Sequence, residues 1–174
     1  MRARSTRLGV WAGRSPGLAT HFPEMGEGVR AYKVAGQHRH TPEMEQELGR
    51  AAGRPVVVTF TPQLVPMSRG ILSCVYGEPA GAVTEADLRA ALRDFYRDEP
   101  FVTVIESGLP DTAHVRGTNR AHVAVHLDRR AGHVLAMTAI DNLGKGAAGQ
   151  AVQCLNLALG FDETAGLAGV AAFP

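Results

Sequence analysis

His38 and His40 flank Arg39 in Gly36-Gln37-His38-Arg39-His40-Thr41-Pro42-Glu43, directly ahead of a helix start. An imidazole changes charge near neutral pH, so a histidine held at the lip of a helix can act as a general acid or base. The same pair also fits two solvated loop histidines. Arg69, in Pro66-Met67-Ser68-Arg69-Gly70, offers a planar fork of donors for a carboxylate or phosphate beside the Ser68 hydroxyl. Arg116 and Asn119 add donors on a turn, where Asn and Gly are also common for turn geometry alone. Downstream, Asp141-Asn142-Leu143-Gly144-Lys145-Gly146-Ala147-Ala148-Gly149 is a small-residue passage from a strand into a helix. Such a passage admits a ligand or another backbone closely, and Asp141 and Asn142 also suit helix capping. It is neither a Walker loop nor a G-x-G-x-x-G fingerprint.

The elements that must hold these residues follow from periodicity and punctuation. A helix is predicted over about Pro42–Ala52, capped by Thr41, stopped by Gly53, and turned inward through Met44, Leu48 and Ala51 or Ala52. Val56–Phe60 reads as a strand broken by the Pro62 and Pro66 segment, and Gly70–Tyr76 as the next strand. Thr84 and Asp87 begin a second helix with an Asp-ended capping box and an inward row of Leu88, Ala91, Leu92, Phe95 and Tyr96. Phe101–Ile105 is a short strand. Ala121–Leu127 and His133–Ile140 form a hairpin, and a last helix is expected over about Ala147–Leu159. Residues 1–27 read as irregular. The sum is an α+β domain over residues 28–174, with a mixed, mainly antiparallel sheet and helices on one face.

Composition narrows the class. The chain has 174 residues, 45% hydrophobic, and a net charge of +1, which gives no reason to expect nucleic acid or an anionic membrane as partner. No apolar run reaches the length of a membrane span. The two cysteines, Cys74 and Cys154, offer no disulfide framework and read as core filler. The spacings of His21, His114, His122, His126 and His133 point to no metal site.

Taken together, AYKVAGQHRHTPEMEQEL (Ala31 to Leu48), TFTPQLVPMSRGIL (Thr59 to Leu72), DEPFV (Asp98 to Val102), HVRGTNRAHVAV (His114 to Val125) and AIDNLGKGAAGQAVQCLNLALGF (Ala139 to Phe161) resemble the C-terminal part of N-acetyl-gamma-glutamyl-phosphate reductases. The motifs stand in the family's order from about Gly13 to Pro174. The resemblance implies an NADPH-dependent cytoplasmic enzyme of arginine biosynthesis, in which a cysteine thiolate attacks an acyl phosphate and the resulting thioacyl group is reduced to a semialdehyde. It also implies an N-terminal Rossmann domain that holds most of the NADP and supplies that cysteine. Neither a glycine fingerprint nor a nucleophile motif occurs in this sequence, so the chain is expected to be the partner half of the active site, inactive alone, with residues 1–27 a remnant of the interdomain region.

By that resemblance His38 is the acid/base residue, and His40, Ser68, Arg69, Arg116 and Asn119 are substrate contacts. Asn142 and Gly146 adjoin the cofactor. The expected partners are an acyl-phosphate substrate and either a second copy or a docked Rossmann half. That docking would leave Val152, Leu155, Leu157 or Leu159 uncovered in the isolated chain. Half of a split enzyme, a lysine-pathway relative acting on aminoadipyl phosphate, and a non-catalytic dimerisation module are the alternatives.

Overall fold

The computed structural model describes residues 6–12 and 28–171. Among them seven strands form one sheet in the order β2-β3-β1-β4-β7-β6-β5. They are β1 (Thr6–Ala12), β2 (Arg30–Ala31), β3 (Val58–Leu64), β4 (Ile71–Gly77), β5 (Val102–Val104), β6 (Ala121–Asp128) and β7 (His133–Ile140). β1–β3 and β5–β6 are parallel pairs, whereas β2–β3, β1–β4, β4–β7 and β6–β7 are antiparallel. Among the described residues three α-helices accompany the sheet: α1 (Thr41–Ala52), α2 (Glu85–Phe95) and α3 (Gly149–Leu159). α1 lies against β3 and α2 against β6, which makes this the α+β class expected.

Period-two burial explains β3. Val58, Phe60, Pro62 and Leu64 turn inward, while Thr59 between them faces out. The strand runs through Pro62, where the sequence reading expected a break. Tyr32 donates its N–H to the Pro62 carbonyl at 3.2 Å, so the side of Pro62 that lacks a donor faces two-residue β2 at the sheet edge. A proline is tolerated there because no central ladder bond is lost. β1 is a second departure. It lies between β3 and β4, inside the stretch that composition alone made irregular.

The helix starts divide similarly. Thr84 caps α2 as expected, its hydroxyl accepting from the Asp87 N–H at 3.2 Å while Asp87 Oδ2 accepts from the Thr84 N–H at 2.9 Å. At α1 the N-cap is His40, whose helical backbone (φ −85°, ψ −6°) places Thr41 inside the first turn. From there the Thr41 side chain makes no capping bond, and its buried Oγ1 has no partner among the described residues. α1 is anchored instead by Glu45, which accepts the Val58 N–H at 3.1 Å. Gly53 (φ 62°) ends α1 in the left-handed conformation. On α2, Ala91 and Phe95 depart from the inward row, and Phe95 stays 77% exposed.

α3 is built inside out. It follows a π-helical turn (Gly144–Ala148), and its only buried residues are Gln153 and Asn156, whereas Val152, Leu155, Leu157 and Leu159 are exposed. Cys154 is also exposed, not core filler as the sequence suggested; Cys74, on β4, is half-buried, and burial pushes its thiol pKa up.

Candidate active site

His38 is held by rings and one backbone bond. Its imidazole meets Tyr32, His40 and Phe60 edge-on, with centroids 5.4, 5.0 and 5.1 Å away. The His40 N–H donates to His38 Nδ1 at 3.3 Å, so the neutral ring carries its proton on Nε2. Burial, then the neighbouring His40, Lys33 and Arg39, push the His38 pKa below 6.5. A neutral imidazole at neutral pH, fixed by packing on Phe60 of β3, is suited to proton transfer. His40 itself is exposed, at the mouth of α1.

A second cluster gathers around Asp141, the residue following β7. Its carboxylate is 0% exposed and accepts from Arg69 Nη2 at 2.8 Å, Gly117 N at 2.7 Å, Leu143 N at 2.8 Å and Gly144 N at 2.6 Å. Burial alone would raise this carboxyl's pKa; the Arg69 guanidinium and the three backbone donors outweigh it and hold the pKa below the ordinary value. The adjoining Asn142 accepts the Gly70 N–H through Oδ1 at 2.8 Å. Gly70 (φ 129°) is compressed against Thr112, where a Cβ would stand 2.8 Å from the threonine Cβ. The guanidinium of Arg69 therefore projects from a tightly fixed backbone, with 38% of its side chain still accessible.

The glycines of the Asp141–Gly149 segment have intramolecular reasons. A Cβ on Gly144 would lie 2.2 Å from the Thr118 carbonyl oxygen, and one on Gly149 would lie 2.4 Å from Asn119 Oδ1. The loop carrying Arg116 and Asn119 thus packs directly on the π turn. Gly146 is exposed, and its N–H bonds to the Asp141 carbonyl at 2.8 Å.

Each expected site residue now has a place. His38 and His40 share one cluster. Arg69, Asn142 and the Arg116–Asn119 loop share the other, with Ser68 exposed beside Arg69. In strand register the Phe60 row and the Ile71 row are four residues apart, and β3 and β4 are two strands apart. The two clusters are therefore separated by about 16 Å at the backbone. Asn119 is turned inward at 4% exposure and donates Nδ2 to Gln153 Oε1 at 2.9 Å. Sequence reasoning missed Gln153, which also accepts from Lys145 Nζ at 2.6 Å and donates to Glu163 at 2.6 Å. The available signal was Gln153 and Asn156, spaced i, i+3 on a helix whose remaining residues, apart from Gln150, are small or apolar.

A mixed sheet of seven described strands, with a histidine cluster at one edge and a carboxylate-locked arginine beside a glycine-rich helix start, makes this an α+β domain. Residues 9–142 match the family model "Semialdehyde dehydrogenase, dimerisation domain", and the chain belongs to that family. The domain's description indicates self-association. The chain is 53% identical over 164 residues to N-acetyl-gamma-glutamyl-phosphate reductase of Pelobacter propionicus, covering 94% of this chain and 47% of the relative. It is 55% identical over 157 residues to the enzyme of that name from Desulforudis audaxviator, covering 90% and 45%. The chain thus spans about half the length of the curated relatives it matches.

Among solved structures, aspartate semialdehyde dehydrogenase II of Vibrio cholerae superposes with a TM-score of 0.64 at 17% identity, covering 88% of this chain and 54% of that one. A probable aspartate-semialdehyde dehydrogenase from Pseudomonas aeruginosa gives 0.65 at 16% identity, covering 88% and 55%. At that identity the likeness shows the fold alone. Among the described residues no helix is long and apolar enough to cross a membrane.

Proposed function

We propose that this chain is the substrate-binding and dimerisation half of an N-acetyl-gamma-glutamyl-phosphate reductase, completed by an NADP-binding Rossmann domain that carries the nucleophilic cysteine. The observation that carries this reading is the 53% identity to reductases of that name across 94% of the chain. In this reading His38, neutral and held on Phe60, exchanges a proton with the reacting centre through Nε2. Arg69 receives an anionic group of the acyl phosphate, with Ser68, Arg116 and His40 as further substrate contacts. Asn119 supports the loop from inside.

NADP, when bound, supplies the hydride. The residues of this chain fit contact with one end of it: Gly146 is exposed at the π turn and Asn142 stands beside it, half-buried. The outward row of Val152, Leu155 and Leu159 continues from that turn and offers an apolar seat for the cofactor-bearing domain. An exposed apolar helix face with a polar underside is what a docked partner would explain.

The test is reconstitution. The chain is mixed with the separately produced N-terminal half of the Pelobacter propionicus reductase, and NADP-dependent turnover of the semialdehyde with phosphate is followed. Recovered turnover that falls by about 10²–10⁴ in His38→Ala supports the reading. No turnover at high concentrations of both halves counts against it.

A further inference from the structure

Capping α3's approach would occupy Asp141 with Leu143 and Gly144 alone. Its carboxylate reaches two further partners that capping does not require, Arg69 Nη2 at 2.8 Å and Gly117 N at 2.7 Å. The four partners come from three segments distant in sequence: the β3–β4 connection with Ser68 and Arg69, the loop with Arg116 and Asn119, and the π turn with Asn142 and Gly146. These are the segments that carry the candidate substrate and cofactor contacts outside the histidine pair. A carboxylate at 0% exposure persists as an anion only with a full set of donors, and here one donor is Nη2 of Arg69, whose side chain remains 38% accessible although its Nε is buried.

We propose that Asp141 is a positioning residue, a buried carboxylate that aims the Arg69 guanidinium, and with it the Gly117 loop, at an anionic group of the substrate. The inference rests on the reading of this chain as the substrate half of an acyl-phosphate reductase. Phosphate and carboxylate both accept charge-assisted hydrogen bonds from a guanidinium N–H, so either group of the substrate can be the one received. Asp141 touches no substrate itself. It acts by removing the rotational freedom of Arg69 before the anion arrives.

The experiment uses the full chain labelled with ¹⁵N and inorganic phosphate or acetate as probe. A pinned guanidinium rotates slowly and gives separate signals for its two Nη groups, whereas a free one averages them. The expected result is resolved Arg69 signals that shift on adding an anion. In Asp141→Asn the signals merge and the anion affinity falls by about tenfold, the low end of what losing an orienting partner costs at other sites. Resolved signals and unchanged affinity in Asp141→Asn overturn the inference.

Should that variant fail to fold, Arg69→Lys keeps the charge and the reach but not the fork. It is expected to lose anion affinity by a similar factor while Gly117, Leu143 and Gly144 keep their amide shifts, and full affinity there overturns the inference too. A wild-type Arg69 that is pinned yet unmoved by phosphate and acetate overturns it as well, while the reductase reading still stands or falls on reconstitution.

Discussion

Replacing a buried glutamine by leucine should destabilise this protein, although leucine is the more hydrophobic residue. Gln153 is 5% exposed and sits on the underside of α3. Its Oε1 accepts from Asn119 Nδ2 at 2.9 Å and Lys145 Nζ at 2.6 Å, and its Nε2 donates to Glu163 Oε1 at 2.6 Å. Gln153→Leu orphans the Asn119 amide, which is 4% exposed, at a cost of about 1–3 kcal/mol. The partly accessible Lys145 and Glu163 recover most of their loss from water and add about 1 kcal/mol. Leucine returns about 1 kcal/mol through extra apolar burial. The net is a loss of about 1–3 kcal/mol, or about 3–10 °C in Tm for a chain of this size. Leu155→Gln, the reverse exchange at a position 55% exposed, should stay within about 0.5 kcal/mol, since the two residues have similar helix propensity. Urea and thermal unfolding of the two variants decide it. A stabilised Gln153→Leu, or a Leu155→Gln that costs well over about 1 kcal/mol, would refute the inside-out reading of α3.

Acidification should weaken the fold. His38 and His122 both titrate below 6.5, because burial and then nearby cationic groups disfavour the imidazolium. The unfolded chain therefore binds more protons in that range, so stability is full above 6.5 and is lost as pH falls through the folded values. Urea midpoints measured between about pH 7.5 and about pH 5 should decline, less steeply in His122→Gln; midpoints that rise on acidification contradict the argument. Gly144→Ala should cost about 3 kcal/mol or more, because its Cβ would meet the Thr118 carbonyl at 2.2 Å, whereas Gly77→Ala, with nothing within 4 Å, should be nearly neutral. Equal midpoints for those two alanine variants would show that the π turn yields freely. Thr84→Ala should remove about 1 kcal/mol with the capping box, read as a lower Tm with the helix content of the remaining fold retained.

Local rules reached much of this molecule. The hairpin from Ala121 to Ile140, the stop at Gly53 and the Thr84–Asp87 capping box depend on residues within a few positions of one another, so they are legible in sequence. His38, Arg69 and the glycine-rich segment were visible as candidates by residue type and by resemblance. Their geometry was not. Whether Thr41 or His40 caps α1 depends on the backbone torsions that His40 adopts in the fold, and Pro62 is allowed within β3 because its donorless side meets a two-residue edge strand.

The strand at Thr6–Ala12 could not be read locally either, since its hydrogen bonds come from β3 and β4, more than forty residues downstream. Residue chemistry and motif order by themselves determined the α+β class and the family, because those are written in patterns along the chain. Only the tertiary structure decided that Asp141 joins three distant segments and that α3 buries its amides and exposes its leucines. Both depend on which groups meet across the fold, and a buried charge or amide is satisfied by partners that no local pattern names.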